Sequence, residues 1–171
     1  FRGNQVYEWL WSKTAHTFED MTNLSKETRD MLEQHFTINH IEVDDMQRSK
    51  DGTIKNAVRL HDGLIVESVL IPTSDRTTAC VSSQVGCSLD CEFCATAQLK
   101  RMRNLNADEI YDQVAAINLE SIKTHRHKLS NIVYMGMGEP LMNYNNVIKS
   151  IEMITSEEGL GMSPKRITVS T

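Results

Sequence analysis

The sequence contains no apolar run approaching the ~18–20 residues that a bilayer-crossing helix requires, so no membrane span is expected. It opens without a basic stretch, an apolar segment and a small-residue cleavage site, so nothing reads as a secretory signal. Positive charge is not in excess. The 18 Lys and Arg face 23 Asp and Glu, a net charge of −5, and that balance does not by itself point to nucleic acid. Cysteine is scarce, at four residues. The expected compartment is the cytoplasm, whose reducing poise favours metal binding or catalysis over disulfides for clustered thiols. What is left, 171 residues with 40% apolar content, suits one or two soluble domains with a real core. The chain begins at Phe1 rather than methionine and stops at "ITVST", inside a strand-like pattern. It is therefore expected to be a piece of a longer protein.

Residues 1 to about 36 have helical periodicity. "QVYEWLWSK" places Val6, Trp9 and Leu10 on one apolar face, and "NLSKETRDMLEQHF" carries Leu24, Met31, Leu32 and Phe36, with Ser25 as N-cap. The period then changes to two. "HIEVDDMQRS", "TIKNAVRL" and "LIVESVLIP" predict strands joined by turns at Ser49–Gly52 and His61–Gly63. From Arg76 strands and helices alternate. "TTACVSS" is a short strand, "NADEIYDQVAAINLESIKT" a helix with Asn106 as N-cap and acids in its first turn, and "SNIVYMGMG" a strand ending in glycines. "NYNNVIKSIEMITSEEG" is a second helix stopped by Gly159, and "RITVST" is a third strand. That alternation predicts parallel βαβ units, whose sites lie at the carboxyl ends of the strands. The cysteine loop, "GMGEP" and "VST" all fall there.

Acidity is concentrated early, because residues 1–75 hold 13 of the 23 acids but only 8 of the 18 bases. Three short basic islands follow, at Leu99–Arg103, Lys123–Lys128 and Pro164–Arg166. Each taken alone is most simply solvated surface.

Three of the cysteines lie within "GCSLDCEFC" as Cys87, Cys91 and Cys94. Structural zinc wants four ligands, usually as two short-spaced pairs. Here there is a triplet with no histidine in the loop, although Cys80 upstream is able to reach, so zinc stays open as an alternative. A four-iron cluster normally takes four thiolates. Three thiols leave one iron open to chelate a substrate.

Cys87-x3-Cys91-x2-Cys94, with Phe93 before the last cysteine, resembles the signature of radical S-adenosylmethionine enzymes. The flanks narrow the likeness. "CVSSQVGCSLDCEFCATAQ", "RNL", "MGMGEPLMNYNNV" and "KRITVST" resemble the RlmN-type adenosine-C2 methyltransferases of bacteria, relatives of the Cfr-type C8 enzymes. The resemblance covers essentially the whole chain, including "FRG" and "SKDG", and corresponds to roughly the first half of a family member.

The resemblance implies an α/β fold, the first half of a partial (β/α)6 barrel preceded by a small helical and antiparallel β region. The expected divisions are an N-terminal helical accessory region at 1–36, an antiparallel β extension at 37–75 and an incomplete barrel at 76–171. It implies a [4Fe-4S] cluster on Cys87, Cys91 and Cys94, whose open iron takes S-adenosylmethionine and yields methionine and a 5′-deoxyadenosyl radical. Gly138 and Glu139 match the cofactor loop, and Ser170 matches another cofactor contact. Read without the resemblance, "GMGEP" is an ordinary turn and Ser170 a strand-end serine.

Cys80 matches the cysteine that resolves a protein–RNA cross-link. In the implied mechanism a different cysteine carries a methyl group, a carbon radical formed on that methyl adds to adenine C2, and a thiolate then releases the product as a protein disulfide. That methyl-carrying cysteine is not among the four here. The bland alternative for Cys80 is a small buried hydrophobe. Glu67 matches the proposed proton acceptor, and a carboxylate buried on an apolar strand would have a raised pKa suited to that work. The bland alternative is an outward strand residue, with Val66 and Val69 inward. Gln84 and Asn143 are candidates for loop or substrate contacts without assigned roles. Implied partners are 23S rRNA and tRNA and an external electron donor of flavodoxin or ferredoxin type, with the protein a monomer and no membrane. The competing readings are C8 methylation and a zinc-stabilised RNA-binding module without catalysis.

Overall fold

A computed structural model describes residues 2–171, so Phe1, at the start of the first predicted helix, lies outside the described residues. Helix α1 (Arg2–Trp11) and helix α2 (Lys26–His35) flank a connection whose Ala15, Phe18, Met21 and Leu24 are buried together. Val6, Trp9, Leu10, Leu32 and Ile38 pack against that cluster, so the predicted apolar face of α1 finds its partner in the connection. Ser25 caps α2 by accepting from the Thr28 N–H at 3.3 Å. Met31 and Phe36, expected on the same apolar face, are 48% and 62% exposed. Adjacent helical residues cannot share a face, so Leu32 turned inward leaves Met31 outside. Phe36 is already past the helix, in extended backbone.

The sheet begins with β1 (Glu42–Arg48), β2 (Ile54–Arg59) and β3 (Ile65–Pro72), paired antiparallel in sequence order. β4 (Thr77–Cys80) continues the meander, then pairs in parallel with β7 (Asn131–Tyr134), and β7 pairs in parallel with β8 (Ile167–Val169). One six-stranded sheet of order β1-β2-β3-β4-β7-β8 therefore runs unbroken from the antiparallel meander into the parallel units. A separate two-stranded ladder joins β5 (Gln84–Val85) to β6 (Arg103–Asn104). The architecture is mixed α/β, a partial barrel of the kind expected.

Helix α3 (Ala107–His125) crosses from β6 to β7, and helix α4 (Tyr144–Thr155) from β7 to β8. α3 starts where predicted, with the Glu109 carboxylate accepting from the Asn106 N–H at 2.8 Å. Its Ile110, Val114 and Ile117 are fully buried, each burial stabilising by roughly 1.5–3 kcal/mol. α4 ends at Thr155, before Gly159, because Ser156 turns to extended backbone and accepts the Gly159 N–H at 3.0 Å.

Strand parity gives the sheet two unlike faces. Val58, Val66, Leu70, Ala79, Ile132 and Tyr134 are buried in the core shared with α3 and α4. Through the register Val69↔Cys80↔Val133↔Thr168, the opposite face carries Glu67 and Val69 on β3, Cys80 on β4 and Thr168 on β8. β1 is exposed along its whole length. It is an edge strand marked by Glu42, Asp44, Asp45 and Arg48 and by a bulge between Val43 and Asp45, features that discourage strand addition.

The helical unit rests on the barrel helices. The Trp11 and Tyr111 rings meet edge-on at 5.1 Å, the Tyr111 hydroxyl donates to the Trp11 carbonyl, and the Tyr7 hydroxyl donates to Met153 Sδ at 3.3 Å. Asp112 of α3 lines a cavity at this junction. Its carboxyl is pushed up to about 7, first by burial and then by Asp108, against an opposing N–H from Ile41 and with a smaller push from Glu109. Because the folded value stands above the ordinary 3.8, the stability this group contributes is whole below 3.8 and is lost as pH rises through about 7. Asp112→Asn, neutral at every pH, is expected to melt a few degrees above the native chain at about pH 8. The difference should shrink at about pH 4, as followed by circular dichroism.

Candidate functional site

The cysteine loop is closed at its base by short-range pairing that two-residue strands do not betray by periodicity. In the β5–β6 ladder Gln84 faces Asn104 and Val85 faces Arg103. The Met102 N–H donates to the Val85 carbonyl at 2.8 Å and the Cys87 N–H to the Leu99 carbonyl at 3.3 Å. Gly86 sits between these bonds at φ +72, and a Cβ there would lie 2.2 Å from the Lys100 carbonyl oxygen. Only glycine allows the two sides of the loop to approach so closely.

β6 is anchored in turn by Arg103. Its guanidinium bonds both oxygens of Glu109 at 2.8 Å, and its Nε bonds Asp62 of the β2–β3 turn at 2.6 Å. His61 Nδ1 lies 3.1 Å from the Glu109 carboxylate. The Glu109 side chain is 4% exposed, so removing Arg103 would strand a buried charge, a loss of roughly 3–5 kcal/mol.

Within the loop, Cys87, Cys91 and Cys94 are half-buried free thiols. The Leu89 N–H points at Cys87 Sγ at 3.5 Å. Backbone N–H groups of Ala97 and Thr96 hold the Cys94 thiol below its ordinary value. Phe93 is 94% exposed. Among the described residues, no group of three or more His, Cys, Asp or Glu is gathered closely enough to hold a metal ion, so the three thiols share a loop without converging. The donor chemistry nevertheless fits an iron–sulfur cluster. Three thiols with no imidazole or carboxylate in the set, two of them receiving backbone N–H groups, match the ligands and the sulfur hydrogen bonding such clusters use.

The second loop follows β7. The Gly136 N–H donates to the Val81 carbonyl at 3.0 Å, and Met137 bonds on both sides, its N–H to Ser82 Oγ at 2.8 Å and its carbonyl to the Ser83 N–H at 2.9 Å. Gly138, at φ +92, passes so close to Gln84 that a Cβ would stand 2.4 Å from that residue's Cβ. Glu139 is half-buried, and its carboxylate accepts the Leu141 N–H at 3.1 Å, capping the 3-10 turn Pro140–Asn143. Ser170 directly follows β8, half-buried. Gly138, Glu139 and Ser170 are thus at carboxyl ends of neighbouring parallel strands.

Cys80 ends β4 on the open face of the sheet, half-buried. Burial pushes its thiol up, with a Met135 N–H opposing. Glu67 shares that face, but the buried carboxylate expected there is not found. Its side chain is 49% exposed and paired with Lys55 Nζ at 2.6 Å. The strand is buried on one side only, and Glu67 points to the other. Val66 turns inward as expected, whereas Val69 does not, since three steps along a strand reverse the face. The four cysteines are all free, so no disulfide links them.

Sequence patterns did not mark Gln113 or the pairing of Arg103 with Glu109, and they held Ser82 and Asn104 only inside the motifs "CVSSQVGC" and "RNL", without a role. Ser82 Oγ donates to the Glu67 carbonyl at 2.6 Å while accepting from Met137, and the Gln113 amide bonds both the N–H and carbonyl of Ser82 at 3.0 and 3.2 Å. The polar run "VSSQ", between an apolar strand and the cysteines, was the available signal. Of the loop or substrate contacts expected of Gln84 and Asn143, the structure shows the loop contacts, both side chains being buried and hydrogen-bonded within the protein. Asn143 Nδ2 donates to the carbonyls of Ser83 and Leu105, each at 2.8 Å.

A family profile described as the Radical SAM superfamily matches residues 81–171, the stretch holding both loops. The chain belongs to the radical SAM superfamily. That membership implies S-adenosylmethionine and an iron–sulfur cluster as cofactors. A second profile, described as the ribosomal RNA large subunit methyltransferase N-terminal domain, matches residues 1–38. The chain is 80% identical over its full length to a Flavobacterium johnsoniae protein named probable dual-specificity RNA methyltransferase RlmN, covering 49% of that protein. It is 46% identical over its full length to the dual-specificity RNA methyltransferase RlmN of Geotalea uraniireducens, covering 48% of it. The crystal structure of a radical SAM methyltransferase from Sphaerobacter thermophilus superposes with a TM-score of 0.89 at 38% identity, over 99% of this chain and 50% of that one. The chain therefore spans about half the length of the curated relatives it matches. No helix among the described residues is long and apolar enough to cross a membrane.

The two thiol environments give a chemical test. In metal-free protein at about pH 7.5, iodoacetamide is expected to alkylate Cys94 about tenfold or more faster than Cys80, because thiolate is the reactive form. Peptide mass spectrometry reads both rates, and an equal or faster Cys80 would contradict the burial and hydrogen bonding described.

Proposed function

We propose that this chain carries the cofactor-binding half of a radical methyltransferase that places a methyl group on C2 of an adenosine in RNA. The observation that supports this is the joining of the segment that leads from Cys80 into the three-thiol loop to the "GMGEP" loop, at the carboxyl ends of neighbouring parallel strands. In this reading Cys87, Cys91 and Cys94 hold a [4Fe-4S] cluster. A cluster held by these thiols would supply the electron needed to cleave S-adenosylmethionine to a 5′-deoxyadenosyl radical. Radical chemistry suits the target, because C2 of adenine lies between two ring nitrogens and does not attack a methyl sulfonium directly.

The chain's own residues supply binding, orientation and proton handling. The Glu139 carboxylate, with one oxygen spent on the Leu141 N–H, keeps acceptor capacity for the cofactor's ammonium. Gly138 brings backbone close to the ligand, and Ser170 contacts it from the next strand. Cys80, whose thiol is pushed up by burial, must lose its proton to attack the sulfur of the separate methyl-carrying cysteine, forming a disulfide as the sulfur–carbon bond to the product breaks. Glu67, on the same face, accepts a proton from the substrate after exchanging its Lys55 partner. Residues 1–36 and 37–75 serve as accessory helices and sheet extension to the incomplete barrel at 76–171. The substrates are adenosines of 23S rRNA and tRNA, unstacked so that C2 reaches the cofactor. A flavodoxin- or ferredoxin-type donor supplies electrons to a monomeric cytoplasmic enzyme.

Anaerobic reconstitution of this chain should incorporate about one four-iron cluster, and Cys91→Ala should lose it. Zinc in place of iron and sulfide, or a full cluster in the variant, would overturn the assignment. With S-adenosylmethionine and a strong reductant, the reconstituted chain should release 5′-deoxyadenosine and leave RNA unmethylated, because no second cysteine beyond Cys80 is available to carry the methyl. Methylated adenosine made by this chain alone would exclude the two-cysteine mechanism.

A further inference from the structure

We propose that Gln84 is a positioning residue that fixes the cofactor loop relative to the cluster loop; this rests on the reading of "GMGEP" as the cofactor loop. Gln84 is wholly buried, three residues before Cys87 on the strand that leads into the cysteine loop, and its hydrogen bonds are to protein groups. Its Oε1 accepts the Glu139 N–H at 2.9 Å, and its Nε2 donates to Asn104 Oδ1 at 2.7 Å. Asn104 Nδ2 then donates to the Met142 carbonyl at 3.2 Å. The chain starts at a backbone donor and ends at a backbone acceptor, so the orientation of both side-chain amides follows from their partners alone.

These two amides hold the Pro140–Asn143 turn at two points, through Glu139 just before it and Met142 inside it. The grip is also steric, because Gly138 lies against the Gln84 stem with no room for a Cβ. With its N–H drawn inward to Gln84, Glu139 has its backbone held while its carboxylate is left to Leu141 and to a ligand. A shift of β5 therefore moves the start of the cluster loop and the backbone of Glu139 together. Gln84→Met removes both hydrogen bonds at nearly constant volume. Gln84→Glu keeps an acceptor for the Glu139 N–H and loses the donor to Asn104.

The test uses the full chain, measured well below its melting temperature. Iron content, S-adenosylmethionine affinity by equilibrium dialysis after anaerobic reconstitution, and amide exchange in the cluster-free protein are compared. Iron content should be unchanged in both variants. Gln84→Met should weaken S-adenosylmethionine binding about tenfold, the scale of one lost hydrogen bond with its partner left unsatisfied, and speed exchange at the Glu139 amide. Gln84→Glu should keep that amide protected and retain most of the affinity. Native affinity together with native Glu139 exchange in Gln84→Met would overturn the proposal, as would faster exchange spread over the whole chain with affinity unchanged. Native protein that takes up iron but binds no S-adenosylmethionine would overturn the reading of the loop, while amide exchange would still decide whether Gln84 holds it.

Discussion

The parallel pairing of β4 with β7 brings the carboxyl ends of two strands to the same rim of the sheet, and the chemically distinctive parts of this chain depend on that neighbourhood. Without it the loop after Cys80 and the loop after Tyr134 would have no common frame. With it, Val81, Ser82, Ser83 and Gln84 meet Gly136, Met137 and Glu139 through backbone and side-chain hydrogen bonds. A buried polar seam of this kind is costly when half-satisfied and rigid when complete. Here the Ser82 hydroxyl and the amides of Gln84, Gln113 and Asn143 find partners, the Ser83 hydroxyl being the member without one, and the paired groups brace both loops.

Much of this was legible from local pattern. α3 announced itself through Asn106 and Glu109, the meander through alternation, and the thiol loop through spacing that asks for three ligands rather than four. Other features were not legible, for definite reasons. The ladder of Gln84–Val85 with Arg103–Asn104 is too short to show a period. The roles of Gln84 and Asn143 rest on partners far along the chain, Glu139 in one case and Ser83 in the other, and no local window contains both members. Glu67 shows a third limit. Parity assigns it a face, but whether that face is covered depends on elements elsewhere, and here it is open.

Electrostatics divides the molecule in a way that composition alone obscured. Acidity is concentrated in the first 75 residues, and one of those acids, Asp62, is spent on a tie to the second part of the chain. Asp62 holds Arg103, and Arg103 holds Glu109 across the start of α3. That chain of charges links the tip of the β2–β3 turn to the strand closing the cysteine loop. The antiparallel extension is therefore joined to the site by sheet pairing on one side and by an ion-paired tether on the other.

The continuous sheet has a consequence for how the molecule is assembled. Pairings β1–β2–β3–β4 connect near neighbours in sequence and carry a small loop-closure cost, whereas β4–β7 joins Cys80 to Val133 across the cysteine loop and all of α3. The meander and α3 are thus positioned to form early, with the parallel contact closing afterwards. The cysteine loop closes at its own base through the short-range β5–β6 ladder, whereas its brace against the second loop is completed only by the long-range pairing with β7.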